Sequence, residues 1–257
     1  MKLEESREYR PLTEHLSEIR VRIFRVLGVF LVLLALAWHY NDVLYSFLLG
    51  PVFKNAEFAS LRFVVIDVTD RFWISFKVTT IAAFTWGLPF YLYEFYAFTA
   101  PALKVSEKNI MKIVLVCSPL LFLLGAYLWL KWLLPETLSV LLKMGPQNNV
   151  QDLLSLGSFL SFALWMALLF AGLFQMPLFL LSLVKVGLVS THALAKYRKE
   201  ALLALAAISA IATPSPDAFT MLALWAPLVV LYEGVIWLGK IIEKKARHSD
   251  SLVGQSV

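Results

Sequence analysis

Charge is what this chain has least of. Only 16% of its 257 residues are Asp, Glu, Lys or Arg, against about 25% in an ordinary soluble domain. With 60% hydrophobic residues and a mean hydropathy of +0.73, water could not solvate its surface, which excludes a soluble globular class. Cysteine is nearly absent. Cys117 stands alone in an apolar run, so no internal disulfide can form and the thiol reads as a small buried hydrophobe. His15, His39, His192 and His248 are the only histidines and are too scattered to bind a metal together. No Gly-x-Ser-x-Gly elbow, His-Glu-x-x-His pair or glycine-rich phosphate loop occurs, so no enzyme and no cofactor is expected. Strict apolar–polar alternation is missing, which argues against a membrane barrel. No internal repeat or titratable midplane site supports the alternative of a small-molecule secondary transporter. Glu4, Glu5, Glu8 and Glu14 crowd the N-terminus, and no small-residue site follows, so no cleavable signal is expected.

What remains is long apolar runs. The bilayer core is roughly 30 Å thick and takes about 20 apolar residues per helical span. Six segments are predicted: Arg22–Tyr40, Phe72–Tyr93, Ile113–Leu130, one within Leu153–Val184, Ala201–Ala212 and Phe219–Gly239. In the fourth, Gly157 and Ser158 are expected to separate an interfacial helix from the span proper. The net charge of +5 lies in short segments between these runs. That is a topology signal and not a nucleic-acid footprint. Lys54, Arg62, Arg71 and Lys143 are the few basic residues of one side, and most others fall on the opposite side. Five crossings would put Lys240, Lys244, Lys245 and Arg247 on the wrong side. The fifth and sixth segments are therefore read as a short hairpin turned by Thr213-Pro214-Ser215-Pro216-Asp217. The fold class is an all-α integral membrane protein of six transmembrane helices, the last two short, with both termini cytoplasmic. One domain is expected: a cytoplasmic amphipathic N-terminus over 1–21, a six-helix bundle over 22–239, and a mobile basic tail over 240–257.

Polar residues at unusual places carry the functional reading. In HLSEIRVRIFR, residues Leu12, Leu16, Ile19 and Ile23 form an apolar helical stripe. Glu18 and Arg22 stand four apart and can pair within the helix for about 0.3–0.5 kcal/mol. Arg20 and Arg25 read as inside-positive anchors. Glu94 and Glu107 are the acids of the loop placed after the second segment, among the interfacial rings Tyr91, Tyr93, Tyr96 and Phe98. Within the spans stand Gln175, Glu233 and Lys77. Such groups usually face protein or water. Gln175 reads equally as helix–helix glue and as a functional site, and Lys77 can snorkel outward.

These residues match a known pattern. HLSEIRVR resembles the His-Leu-x-Glu-Leu-Arg-x-Arg of the TatC family, the core subunit of the twin-arginine protein translocase. Pro51, the VTDRFWISFK stretch with Asp70 and Lys77, Phe98-x-x-Pro101-Ala102-Leu103-x-x-x-Glu107, FQMP with Pro177, and TPSPD followed by LYE are similar to further family motifs. The resemblance covers about Pro11 to Lys240. It implies a protein that binds twin-arginine signal peptides of folded substrates. It also implies TatA-like and TatB-like single-span partners in a multimeric complex, and export driven by the proton motive force without nucleotide. The implied signal-peptide site is Glu18 and Glu107 with Arg20 and Arg22. The implied partner-docking residues are Thr213, Asp217, Thr220 and Met221. The expected location is the cytoplasmic membrane, surrounded by lipid, with a thylakoid or mitochondrial inner membrane as other settings. Arg71, Lys104, Gln175 and the lengthened TPSPD turn depart from the family pattern. Glutamine cannot titrate, so a proton relay at Gln175 is not expected.

Overall fold

The computed structural model describes residues 12–53, 58, 61–101, 105–143, 153–213 and 218–253, and their side chains except those of 12–16, 105–107, 109, 219 and 242–253. The chain is a mostly helical, multi-pass membrane protein. Among the described residues, four helical stretches are long and apolar enough to cross a bilayer: Ser17–His39, Ile110–Lys143, Leu156–Val186 and Thr220–Ile241.

Helix α1 (Leu12–His39) is unbroken, so the amphipathic N-terminal segment forms its opening turns. Its outer face, including Phe24, Leu31 and Val32, is exposed and suited to lipid. Helix α2 (Asn41–Phe53) carries Pro51 in its last turn. Helix α3 (Asp70–Thr99) runs antiparallel to α1. Trp38 at the end of α1 meets Phe72 at the start of α3, with ring centroids 6.0 Å apart. Its 30 residues span about 45 Å at 1.5 Å each. Its Thr, Tyr and Trp content lowers its hydropathy. Glu94 thus lies inside a helix and not in a loop, a correction to the sequence reading. Pro101 follows in the turn, as its missing N–H demands.

Helix α4 (Val105–Leu128) continues through a π-helical turn, Trp129–Leu133, into α5 (Leu134–Lys143). The turn directs Trp129, Leu130 and Leu133 into the core. There the Trp129 Nε1–H donates to the Ala163 carbonyl at 2.9 Å. Gly125 lets α4 come close to α6 (Leu156–Leu173). A Cβ at that position would stand 2.7 Å from the Phe170 carbonyl oxygen and 2.9 Å from the Phe174 ring. Small residues at such crossings are the usual means of close helix packing in membranes.

The fourth apolar run divides elsewhere than predicted. Ser155 caps α6 by accepting from the Ser158 N–H, Gly157 lies in its first turn, and Leu153–Ser155 is strand and not an interfacial helix. The break falls at Phe174–Gln175, before α7 (Met176–Val186), whose opening turn holds Pro177. Proline fits that position because its missing N–H has no helical partner there. Gly187, at φ 85°, ends α7 in the left-handed conformation that favours glycine.

Helices α8 (Thr191–Lys196) and α9 (Arg198–Ala212) lead to α10 (Ala218–Val253), which carries the basic tail onward as helix. Tyr232 Oη donates to the Leu194 carbonyl at 2.9 Å, and Trp225 Nε1 to the Leu202 carbonyl at 3.0 Å. Two loops meet in a small parallel sheet of β1 (Arg62–Val64) and β2 (Leu153–Ser155), with Phe63 opposite Leu154. Three residues are too few for a strand periodicity to be read from sequence.

Candidate functional site

Residues Glu18, Arg22 and Arg25 lie at i, i+4 and i+7 on α1 and so share one helix face. That face packs on α3. Arg22 Nη2 donates to Glu18 Oε1 at 2.6 Å, and Nε to the same oxygen at 3.2 Å. The other edge of the guanidinium crosses to α3, where Nη1 donates to Glu94 Oε2 at 2.8 Å. Arg25 Nη1 stands 3.7 Å from Glu94 Oε1. The Glu94 side chain is only 7% exposed and that of Glu18 is 26% exposed. One arginine therefore spans a buried carboxylate and a more accessible one. A buried carboxylate left unpaired is costly, so Glu94 ties the start of α1 to the end of α3.

The expected Glu18–Arg22 pair is present, while Glu94 as its third member was missed. The available signal was an acid amid apolar rings, YLYEFYAF, where an unpaired charge would be unfavourable. Arg20 is exposed and projects from another side of α1. Glu107 belongs to the first turn of α4, and its side chain lies outside the described residues. Only five residues separate Thr99 from Val105, so the end of α3 and the start of α4 lie at the same end of the bundle as the start of α1.

The intramembrane polar residues have specific partners. Gln175 accepts from Ser118 Oγ at 2.9 Å and donates through Nε2 to the Ser118 carbonyl at 3.0 Å. Of its two readings, glue between α4 and the α6–α7 break is the one the geometry favours. Lys77 Nζ donates to Ser161 Oγ at 3.0 Å, linking α3 to α6. Glu233 Oε1 meets Arg198 Nε at 2.9 Å, a half-exposed pair between α10 and α9. At the end of α9, Thr213 Oγ1 donates to the Ser209 carbonyl at 3.0 Å, and at the start of α10 Thr220 is buried and Met221 half-buried. Asp217 lies outside the described residues. Among the described residues, no group of three His, Cys, Asp or Glu side chains could hold a metal.

Comparison with known proteins agrees with this layout. The family described as "Sec-independent protein translocase protein (TatC)" matches residues 14–227. The Sec-independent protein translocase protein TatC of Aquifex aeolicus is 32% identical over 93% of this chain and 98% of its own. The protein of that name from Rickettsia prowazekii is 29% identical over 90% of this chain and 92% of its own. The crystal structure of the twin arginine translocase receptor TatC in DDM superposes with a TM-score of 0.71 at 31% identity. It covers 88% of this chain and 99% of that one. The family match over most of the chain, the full-length relatives and the shared fold have one meaning: this chain belongs to the TatC family of Sec-independent protein translocase proteins.

Proposed function

We propose that this chain is the receptor of a twin-arginine translocase and takes the signal peptide of folded export substrates where α1 begins. The observation that carries this reading is the guanidinium of Arg22 held between two carboxylates, Glu18 and Glu94, at that end. A twin-arginine signal brings two more planar guanidinium groups. Each can make paired, charge-assisted bonds to a carboxylate in a fork that lysine cannot copy. Glu18 on α1 and Glu107 on α4 are the proposed acceptors, with Arg20 and Arg22 tuning the local charge. The apolar remainder of the signal would lie along the bundle.

In this reading the chain crosses the bacterial cytoplasmic membrane six times, with both termini cytoplasmic. Helix α3 and the short α9 supply the two further crossings. Bilayer thinning or neighbouring protein accommodates α9. TatA-like and TatB-like single-span partners dock at the α9–α10 hairpin around Thr213, Asp217, Thr220 and Met221, and the proton motive force drives transport. A secondary transporter is not favoured, because the amide of Gln175 is already bonded to Ser118 and cannot titrate.

A photo-crosslinking twin-arginine peptide tests the receptor reading. Glu18→Ala and Glu107→Ala should each abolish crosslinking while the protein stays folded, and survival of the crosslink in both would refute the site. Cysteines placed at 213, 217 and 221 should crosslink to a single-span partner, and uniform absence of such crosslinks would remove the docking proposal.

A further inference from the structure

The two edges of the Arg22 guanidinium do different work. Nε and Nη2 face Glu18 Oε1 at 3.2 and 2.6 Å, while Nη1 faces Glu94 Oε2 at 2.8 Å. Because these are separate edges, one contact can be exchanged while the other persists. The acids also differ in depth: Glu94 is 7% exposed and Glu18 is 26% exposed. An incoming arginine reaches Glu18 first. Glu94 stays dependent on Arg22, because Arg25 approaches it only to 3.7 Å and a buried carboxylate needs a close partner.

We infer that Glu94 is a positioning residue for signal-peptide recognition. It retains Arg22 on α3 so that a peptide guanidinium can replace Arg22 at Glu18. Arg22 is thus an internal competitor for the acceptor, and Glu94 keeps that competition weak. This rests on Glu18 being an acceptor for the peptide. Loss of the Glu94 charge acts twice in the same direction. It removes the second anchor of Arg22, which then binds Glu18 alone, and it leaves the cluster one positive charge richer toward a dicationic ligand. Lysine at position 22 would not substitute, since a single ammonium lacks the two opposed edges.

The test uses the full chain in nanodiscs and a fluorescent twin-arginine peptide, with melting temperature followed in parallel. Glu94→Gln should weaken binding about tenfold. Adding Arg22→Gln to it should return affinity to the unmodified value or above, because the competitor and the excess charge both go. Unchanged affinity in Glu94→Gln would overturn the inference. So would a double variant as weak as Glu94→Gln alone, since a direct ligand or a merely structural residue would not be rescued. If Glu94→Gln does not fold, Arg22→Gln alone decides: tighter binding supports the inference, and weaker or equal binding defeats it. Unchanged binding in Glu18→Gln is a different failure. It would remove the acceptor reading itself, and this inference with it.

Discussion

Two of the polar contacts that join helices in this molecule are built differently. At one end, Arg22 lies between Glu18 and Glu94, all charged and graded in exposure. Further along the bundle, Gln175 and Ser118 form a neutral pair in which each residue both donates and accepts. In the proposed receptor reading the first contact is exchanged, because an incoming cation offers the same chemistry as the one it displaces. The second is closed, because the bonds given up would have no equivalent in lipid. The proposed receptor surface would need the first kind, and a scaffold the second.

That contrast can be broken from the scaffold side. The largest effect is expected at Gly125, whose missing side chain lets α4 approach α6 and sets Ser118 against Gln175. Gly125→Ala pushes a carbon onto the Phe170 carbonyl and should cost about 1–3 kcal/mol through overpacking. Thermal unfolding in detergent would measure this, and an unchanged melting temperature would mean that the two helices can separate without loss. Gln175→Leu should cost less, about 1 kcal/mol, as interhelical hydrogen bonds in membranes are individually modest.

The smallest effect is expected for Glu233→Gln, because its pair with Arg198 is half-exposed on both sides. Less than about 1 kcal/mol should be lost, and a larger drop in unfolding temperature would mean that the pair is shielded by lipid.

Much of the fold was legible because its signals are local. Hydropathy marks the α1, α4, α6–α7 and α10 stretches over whole windows. The Glu18–Arg22 pair follows from four-residue spacing alone. The break in the fourth run was misplaced because Gly157 and Ser158 look like breakers. In the structure, Ser155 caps the helix ahead of them, and the true interruption is at Gln175, before Pro177. The β1–β2 pairing was invisible, since neither strand is long enough to carry a pattern.

Composition and local spacing alone give the solvent of this protein, the helical nature of its segments and the charged residues that share a face of α1. These follow from composition and from the 3.6-residue repeat, and both act over a few turns of chain. What that face meets depends on contacts between segments far apart in the chain. Glu94 lies 72 residues from Arg22, and Ser118 lies 57 residues from Gln175. Periodicity says which way a side chain points, but the partner it finds depends on how helices cross, and crossing is set by small residues and bulky rings far apart in sequence.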